Sequence, residues 1–423
     1  MHASERVIVV GGGVAGLVAA RELALAGREV LLLEGRERLG GQLASHAVAG
    51  IDLDAGAEAY AVRGDDIPAL LRALHLDGEV VRPRDAPAWL HRADGTAVPL
   101  PATSLLGIPG VPLARDVIEA IGTRAALRAQ LDTLMPGLVA AKAETLGELV
   151  RRRMGRAVLE GLVDPVVRGV HSVSPHELEV DRIAPRLRDD MLNNGSLAAA
   201  VRLRRASAPA GALVASLRGG LHRMVGALAA DLERFGVEVR TGVEVTAASG
   251  TGVTTASGER LAGDVVLAAP LGVTAPRTRV TVVTLALDAP ELRGAPRGTG
   301  VLVAAGAPGV AARALTHLTA KWQWLAEATP LELVRLSYDA DVEVTPERAR
   351  QDAEVLLGRP VPHPLDSAIV AWERVGRRTD AAHAIDGMRR VGEAESGTGL
   401  AAVVSYARSV ADAIPSADGS REG

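Results

Sequence analysis

Apolar and polar positions follow two different periods along this chain, and the switch between them outlines its first elements. Arg6-Val-Ile-Val-Val10 is a short β-branched run, the pattern of a strand buried on both faces of a parallel sheet. Leu17–Ala26 then repeats apolar residues every three or four positions, which predicts a helix that Gly27 can cap. Glu29–Leu33 reads as a second apolar strand, ending at Glu34. Helical spacing returns over Val117–Leu134 and Leu146–Val163, punctuated by Pro136 and Pro165. Val239–Val245, Asp264–Leu267 and Thr281–Leu287 read as strands, and Trp322 and Trp324 alternate as strand residues do. The pattern predicts an α/β chain.

Composition narrows the function classes. At 423 residues with 48% hydrophobic content, the chain can bury the cores of two or three domains. A net charge of −4 offers no concentrated basic surface, so no nucleic-acid partner is expected. Cysteine is absent, which excludes disulfides, thiolate zinc sites and a catalytic thiol. Electrons must therefore reside on a cofactor if the chain does redox chemistry. Arginine is abundant while lysine occurs only at Lys142 and Lys321, a bias typical of GC-rich coding sequence. No signal-peptide h-region precedes the first strand, and no apolar run reaches the roughly 18–20 residues of a membrane span. A cytoplasmic protein is expected. Arg151-Arg152-Arg153 reads as a solvated helix face, with peripheral membrane contact left open.

The most specific chemistry lies between the first two strands. Gly11, Gly12, Gly13, Val14, Ala15 and Gly16 form a G-x-G-x-x-G turn after a strand and before a helix. Gly11 permits the tight turn, Gly13 lets a pyrophosphate approach the backbone, and Gly16 lets helix and strand pack closely. The helix N-terminus then offers free N–H groups and partial positive charge to phosphate. Glu34 ends the second strand where a carboxylate can accept from a ribose diol, and it disfavours a 2′-phosphate. The following run, Glu34-Gly35-Arg-Glu-Arg38-Leu-Gly40-Gly41-Gln42, resembles the extended signature of two-dinucleotide-binding-domain flavoproteins. Arg38 can offset pyrophosphate charge. The implied cofactor is FAD.

Further blocks resemble the porphyrinogen oxidases of haem biosynthesis, within the amine-oxidase-like flavoproteins. Asp52-Leu-Asp-Ala-Gly56-Ala57-Glu58-Ala-Tyr60 looks like their D-x-G-A-E-A-F segment. Thr145-Leu-Gly-Glu-Leu-Val-Arg-Arg-Arg-Met-Gly155, continuing to Val163-Asp-Pro165 and Gly169-Val-His171, resembles a second and more discriminating block. Ser216-Leu-Arg-Gly-Gly-Leu221, Asp264–Pro270, Lys321-Trp322 and Gly392–Leu400 resemble four others in the same order.

The resemblance implies a Rossmann-like FAD-binding domain with an α+β substrate domain and a helical insertion. Its expected boundaries are 1–75, 216–275 and 381–423 for the FAD domain, 76–105 and 276–380 for the substrate domain, and 106–215 for the helices. Cofactor contacts carried over are Gly11 to Gly16, Glu34, Gly35, Arg38, Gln42, Gly56, Ala57, Glu58, Val245 beneath the adenine, and Thr398, Gly399 and Leu400.

The implied reaction is oxidation of a porphyrinogen by way of FAD, with molecular oxygen as acceptor. High-GC Gram-positive relatives mostly use coproporphyrinogen, which favours that substrate. No general base can be named, because the pyrrole proton can depart to solvent. No metal site is read: His171 and His176-Glu177 lack H-E-x-x-H spacing.

Three features depart from the family, the first being that only a brief linker after Pro270 reaches the Thr281–Leu287 strand, where relatives usually carry a helix. The Trp372–Gly392 stretch lacks its P-x-Y-x-x-G-H segment, and Met388-Arg-Arg-Val391 places two arginines in an expected buried strand. An amine oxidase, a desaturase and a catalytically impaired relative therefore stay open as alternatives. Oligomeric state is open as well.

Overall fold

The computed structural model describes residues 6–62, 64–206, 214–272, 277–375, 388–397 and 399–414. Strand β1 (Arg6–Val10), helix α1 (Val14–Leu25) and strand β2 (Glu29–Leu33) form the expected parallel unit, with Val7 beside Val30 and Val10 beside Leu33. Gly27 takes φ +78° just past the helix, a conformation that favours glycine. Three distant segments complete a five-stranded parallel sheet. Its order is Glu238–Arg240, β2, β1, Asp264–Leu267 and Arg389–Arg390.

One face of this sheet packs against α1 and the helices Arg223–Arg234 and Leu400–Asp412, through Leu17, Val18, Leu228, Leu232, Val404 and Ala407. The other face is covered by an antiparallel meander of Val245–Ser249, Gly252–Thr255 and Arg260–Ala262, whose Val253 joins Ile8, Val10, Leu31 and Leu33. Burial on both faces explains why these strands read as unbroken apolar runs.

A second sheet is mostly antiparallel. Its order is Asp366–Val375, Arg277–Leu287, Glu332–Tyr338, Ala314–His317, Gly300–Val303, Trp89–His91 and Ala97–Pro99. Helix Pro346–Leu357 packs over one face through Ala349, Ala353 and Leu356. Between the sheets in sequence, helices from Arg115 to Ala206 close around their own core of Leu146, Leu149, Val150, Met154, Leu187 and Val201. Arg313 of the second sheet donates to Ser172 Oγ of the helical region (2.8 Å).

Several expectations need correction. Val239–Val245 is not one strand: the chain leaves the parallel sheet at Arg240, turns at Gly242 (φ +69°) and starts the meander at Val245. The two long helical stretches are each interrupted by a glycine at positive φ, Gly122 (+81°) and Gly155 (+95°). Trp322 and Trp324 do not alternate in a strand; Trp322 is a 2%-exposed core residue between two short helices, and Trp324 lies in the second of them.

Arg151-Arg152-Arg153 is not a uniformly solvated face. On helix Leu146–Met154 the three-and-four spacing Leu146, Leu149, Val150, Arg153 turns the last arginine inward. It is fully buried, with Nε on Asp132 Oδ1 (2.5 Å) and Nη2 on the Asp132 carbonyl (2.8 Å). Arg389 and Arg390 do form the last parallel strand. It is an edge strand of two half-buried residues, so both side chains escape full desolvation. The P-x-Y-x-x-G-H question falls mostly on 376–387, outside the described residues.

Candidate active site

The glycine turn closes as its spacing requires. Gly11 has φ +110°, and a Cβ there would meet the Ala268 carbonyl oxygen at 2.8 Å. A Cβ on Gly16 would fall 1.8 Å from the Gly11 carbonyl oxygen, so α1 can cross β1 this closely only with glycine. Gly13 differs: its nearest neighbour would be Gly41 Cα at 4.0 Å. The open space lies at the N-terminus of α1, where the first turn carries no acidic residue to neutralise the helix dipole. That is a cradle for an anion. Val14 and Ala15 follow in the first turn, buried beneath it.

Glu34 turns back onto this turn. Gly12 N donates to its Oε2 (2.6 Å) and Arg36 N to its Oε1 (2.9 Å), which fixes the carboxylate at the rim of the cradle. Gly35 runs beside Glu244, with its Cβ position 3.7 Å from Glu244 Cα, so the segment leading into Val245 lies next to the end of β2. Val245 itself packs partly against the Ile8–Leu31 cluster. Arg38 is exposed and donates to the Gly41 carbonyl oxygen (3.3 Å), with no carboxylate in ion-pair range among the described residues. Gly40 N donates to the Gly12 carbonyl (2.8 Å), which lays the Arg38–Gln42 loop across the turn.

The loop then reaches the next block. A Cβ on Gly56 would lie 2.1 Å from the Gln42 carbonyl oxygen, and Gln42 Nε2 donates to Glu393 Oε2 (3.0 Å). Ala57 lies between Gly56 and Glu58 in an irregular, partly exposed stretch. Asp54 ties this block to the Gly-Gly-Leu block: its carboxylate accepts from Leu221 N (2.9 Å) and His222 N (2.8 Å) and touches His222 Nδ1 (2.8 Å). Gly399 (φ +110°) precedes helix Leu400–Asp412, and Leu400 packs against the core under α1. Thr398 lies outside the described residues.

One constellation was not legible in the sequence. Glu58 pairs with Lys321 (Oε1–Nζ, 2.5 Å) and stands 3.9 Å from Arg335, whose guanidinium also donates to the carbonyls of Asp54, Ala55 and Gly56. Burial pushes the Glu58 carboxyl up, but the Lys321 and Arg335 charges together outweigh it and hold it below its ordinary value. Arg335 is pushed down by burial, opposed by Glu58 and Asp54. The partners are separated by more than 250 residues, so only the resemblance of Lys321-Trp322 to a family block hinted at a role for this lysine.

A five-stranded parallel sheet with a glycine cradle, a ribose-side acid, a covering meander and a returning C-terminal helix defines a dinucleotide-binding flavoprotein. The chain belongs to the flavin containing amine oxidoreductase family, whose model matches residues 14–307, and it is an FAD-dependent oxidoreductase. The coproporphyrinogen III oxidase of Mycobacterium leprae (strain TN) is 29% identical over 79% of this chain and 77% of that protein. The coproporphyrinogen III oxidase of Propionibacterium freudenreichii subsp. freudenreichii is 25% identical, but that match spans only 62% of this chain and 56% of the relative. In fold, the chain is similar to a candidate protoporphyrinogen oxidase from Exiguobacterium sp. 255-15, with TM-score 0.81 at 24% identity over 97% of this chain and 98% of the other. Among the described residues, no helix is long and apolar enough to cross a membrane.

Proposed function

We propose that the protein oxidises coproporphyrinogen III to coproporphyrin III in haem biosynthesis, with molecular oxygen as the final acceptor. The observation that carries this reading is the match to coproporphyrinogen III oxidases over more than three quarters of both chains in the mycobacterial case. It joins a nucleotide frame that is geometrically intact. The reaction removes six hydrogens in three two-electron rounds, each round reducing one oxygen to peroxide.

The residues present fit FAD. The space before Gly13 and the first N–H groups of α1 would hold the pyrophosphate, with Gly11, Gly12, Val14, Ala15 and Gly16 shaping the turn and Arg38 adding countercharge. Glu34 would hold the adenosine ribose, with Gly35 and Val245 flanking the adenine. Gln42, Gly56, Ala57 and Glu58 would line the far end of the cofactor together with Thr398, Gly399 and Leu400. When bound, FAD supplies the hydride acceptor, and that removes the need for a protein nucleophile or a metal. Lys321 and Arg335 keep Glu58 ionised beside this end, and Asp54 fixes the Gly-Gly-Leu turn against it. The three-unit division with boundaries at 1–75, 216–275 and 381–423, at 76–105 and 276–380, and at 106–215 is supported by the separate cores of the two sheets and the helices.

Peripheral membrane contact is better supported at the exposed Leu134 and Leu138, each about four-fifths exposed, than at the arginine run. Sedimentation with anionic vesicles tests it, and Leu134→Ser with Leu138→Ser should abolish co-sedimentation.

For the reaction itself, coproporphyrinogen III is added in air and porphyrin fluorescence is followed against the autoxidation control. Emission well above that control supports the proposal. A flavin-loaded protein that accelerates only protoporphyrinogen IX or an amine would overturn the substrate.

A further inference from the structure

We infer that Arg182, contributed by the helical region, is the anchor for a carboxylate of the substrate. The inference rests on the porphyrinogen reading above, because it assigns a side chain to the propionates that such a substrate carries.

Arginine is so frequent that composition selects none. The structure separates them by what each guanidinium already holds. Arg335 is spent on three carbonyls and Glu58, and Arg153 on Asp132 and the carbonyls around it. Arg188 takes Asp181, the carboxylate adjacent to Arg182 in sequence. Arg182 shares its lack of a carboxylate partner with Arg38, Arg297 and Arg389 among the described residues, and it stands apart by its position. It is half-buried on the short helix Val180–Ile183, and no carboxylate among the described residues lies in ion-pair range. Its one hydrogen bond among the described residues is long, from Nη2 to the Glu395 carbonyl oxygen (3.5 Å).

Its position gives that unspent charge a purpose. The guanidinium packs closely against Gly397, so that a Cβ there would meet Nη2 at 2.5 Å and Nε at 3.0 Å. Gly397 ends the turn that starts at Gly392, and Gly392 faces Ala15 and the Ala268 carbonyl of the glycine cradle at about 4 Å. A cation from the helical region thus stands at the segment that returns to the cofactor. A half-desolvated guanidinium with most of its five donors unused among the described residues favours a planar, bidentate anion, and a carboxylate matches that fork.

Arg182→Ala and Arg182→Lys are compared with the parent protein in two measurements. The first is binding of the product coproporphyrin III, read from its Soret band. The second is steady-state oxidation of coproporphyrinogen III and of its methyl-esterified form. The expected result is porphyrin affinity weakened at least about tenfold in Arg182→Ala. KM should rise by a similar factor, FAD content should be unchanged, and the penalty should vanish on the ester. Arg182→Lys should fall between, since it keeps the charge and loses the fork. Loss of FAD affinity with KM unchanged would overturn the assignment and make Arg182 a brace for the turn, as would an equal penalty on acid and ester. Failure of the parent protein itself to bind or oxidise the porphyrinogen is a separate outcome, which removes the proposed function first.

Discussion

At the scale of single residues, the account depends on a few side chains that face one another across long separations. Glu34 is fixed by the Gly12 and Arg36 amides before any ligand arrives, so its free lone pairs are pre-aimed at the rim of the cradle. Glu34→Ala should lower FAD affinity by roughly 10- to 100-fold, the equivalent of about 1.5–3 kcal/mol for hydrogen bonds to a charged group. Titration of apoprotein with FAD, followed by flavin fluorescence, reads this directly, and an unchanged affinity would remove Glu34 from the ribose.

Glu58 carries a pH signature. Its folded carboxyl sits below the ordinary value, so its contribution to stability is complete above the unfolded carboxylate range, about 4.3, and is lost as pH falls through the folded value. Lys321→Met leaves the carboxylate largely buried and deprived of its nearest partner. A loss of up to about 3 kcal/mol at neutral pH is expected, shrinking toward acid pH as Glu58 protonates. Urea unfolding of both proteins at neutral and acid pH measures it. A loss that does not vary with pH would mean that the ion pair is not its source.

At the scale of elements, what was legible is what is local. Strand, glycine turn, helix, strand and acid follow one another within thirty residues, and each step has its own steric or dipolar cause. The helix read from Leu146 does start there, where Thr145 Oγ accepts from Glu148 N (3.3 Å). What was misread depended on partners elsewhere. Val245 looked continuous with Val239 because a turn at Gly242 does not disturb apolar spacing, yet it moves the residue from sheet to meander. Arg153 looked solvated because arginine usually is, although its period placed it beside Leu149 and Val150. Its buried partner Asp132 lies in a different helical turn, which the pattern could not supply. Glu58 with Lys321, and Arg182 against Gly397, are contacts of tertiary structure alone. The Arg153 pair makes an element-level prediction. Arg153→Met strands Asp132 inside the helical core and should destabilise it by about 3–5 kcal/mol. Hydrogen exchange should show the loss in the helices before it appears in the parallel sheet. Uniform loss across both would contradict a separate helical core.

At the scale of the whole molecule, most of the blocks resembling porphyrinogen oxidases converge on one locus, while the Thr145–His171 block packs in the helical core. Gly11 and Gly16 meet Ala268, Gln42 meets Gly56 and Glu393, Asp54 meets Leu221 and His222, and Glu58 meets Lys321. Segments from both ends and the middle of the chain are needed to assemble it, which explains why the resemblance is spread along the chain. The central claim is that electrons leave a porphyrinogen for FAD held at this locus. The measurement that tests it most directly mixes FAD-loaded protein with coproporphyrinogen III in the absence of oxygen and follows the visible spectrum. The account predicts that flavin absorbance bleaches as porphyrin bands appear, and that colour returns with peroxide when air is admitted. Flavin that stays oxidised while the porphyrinogen persists would contradict it.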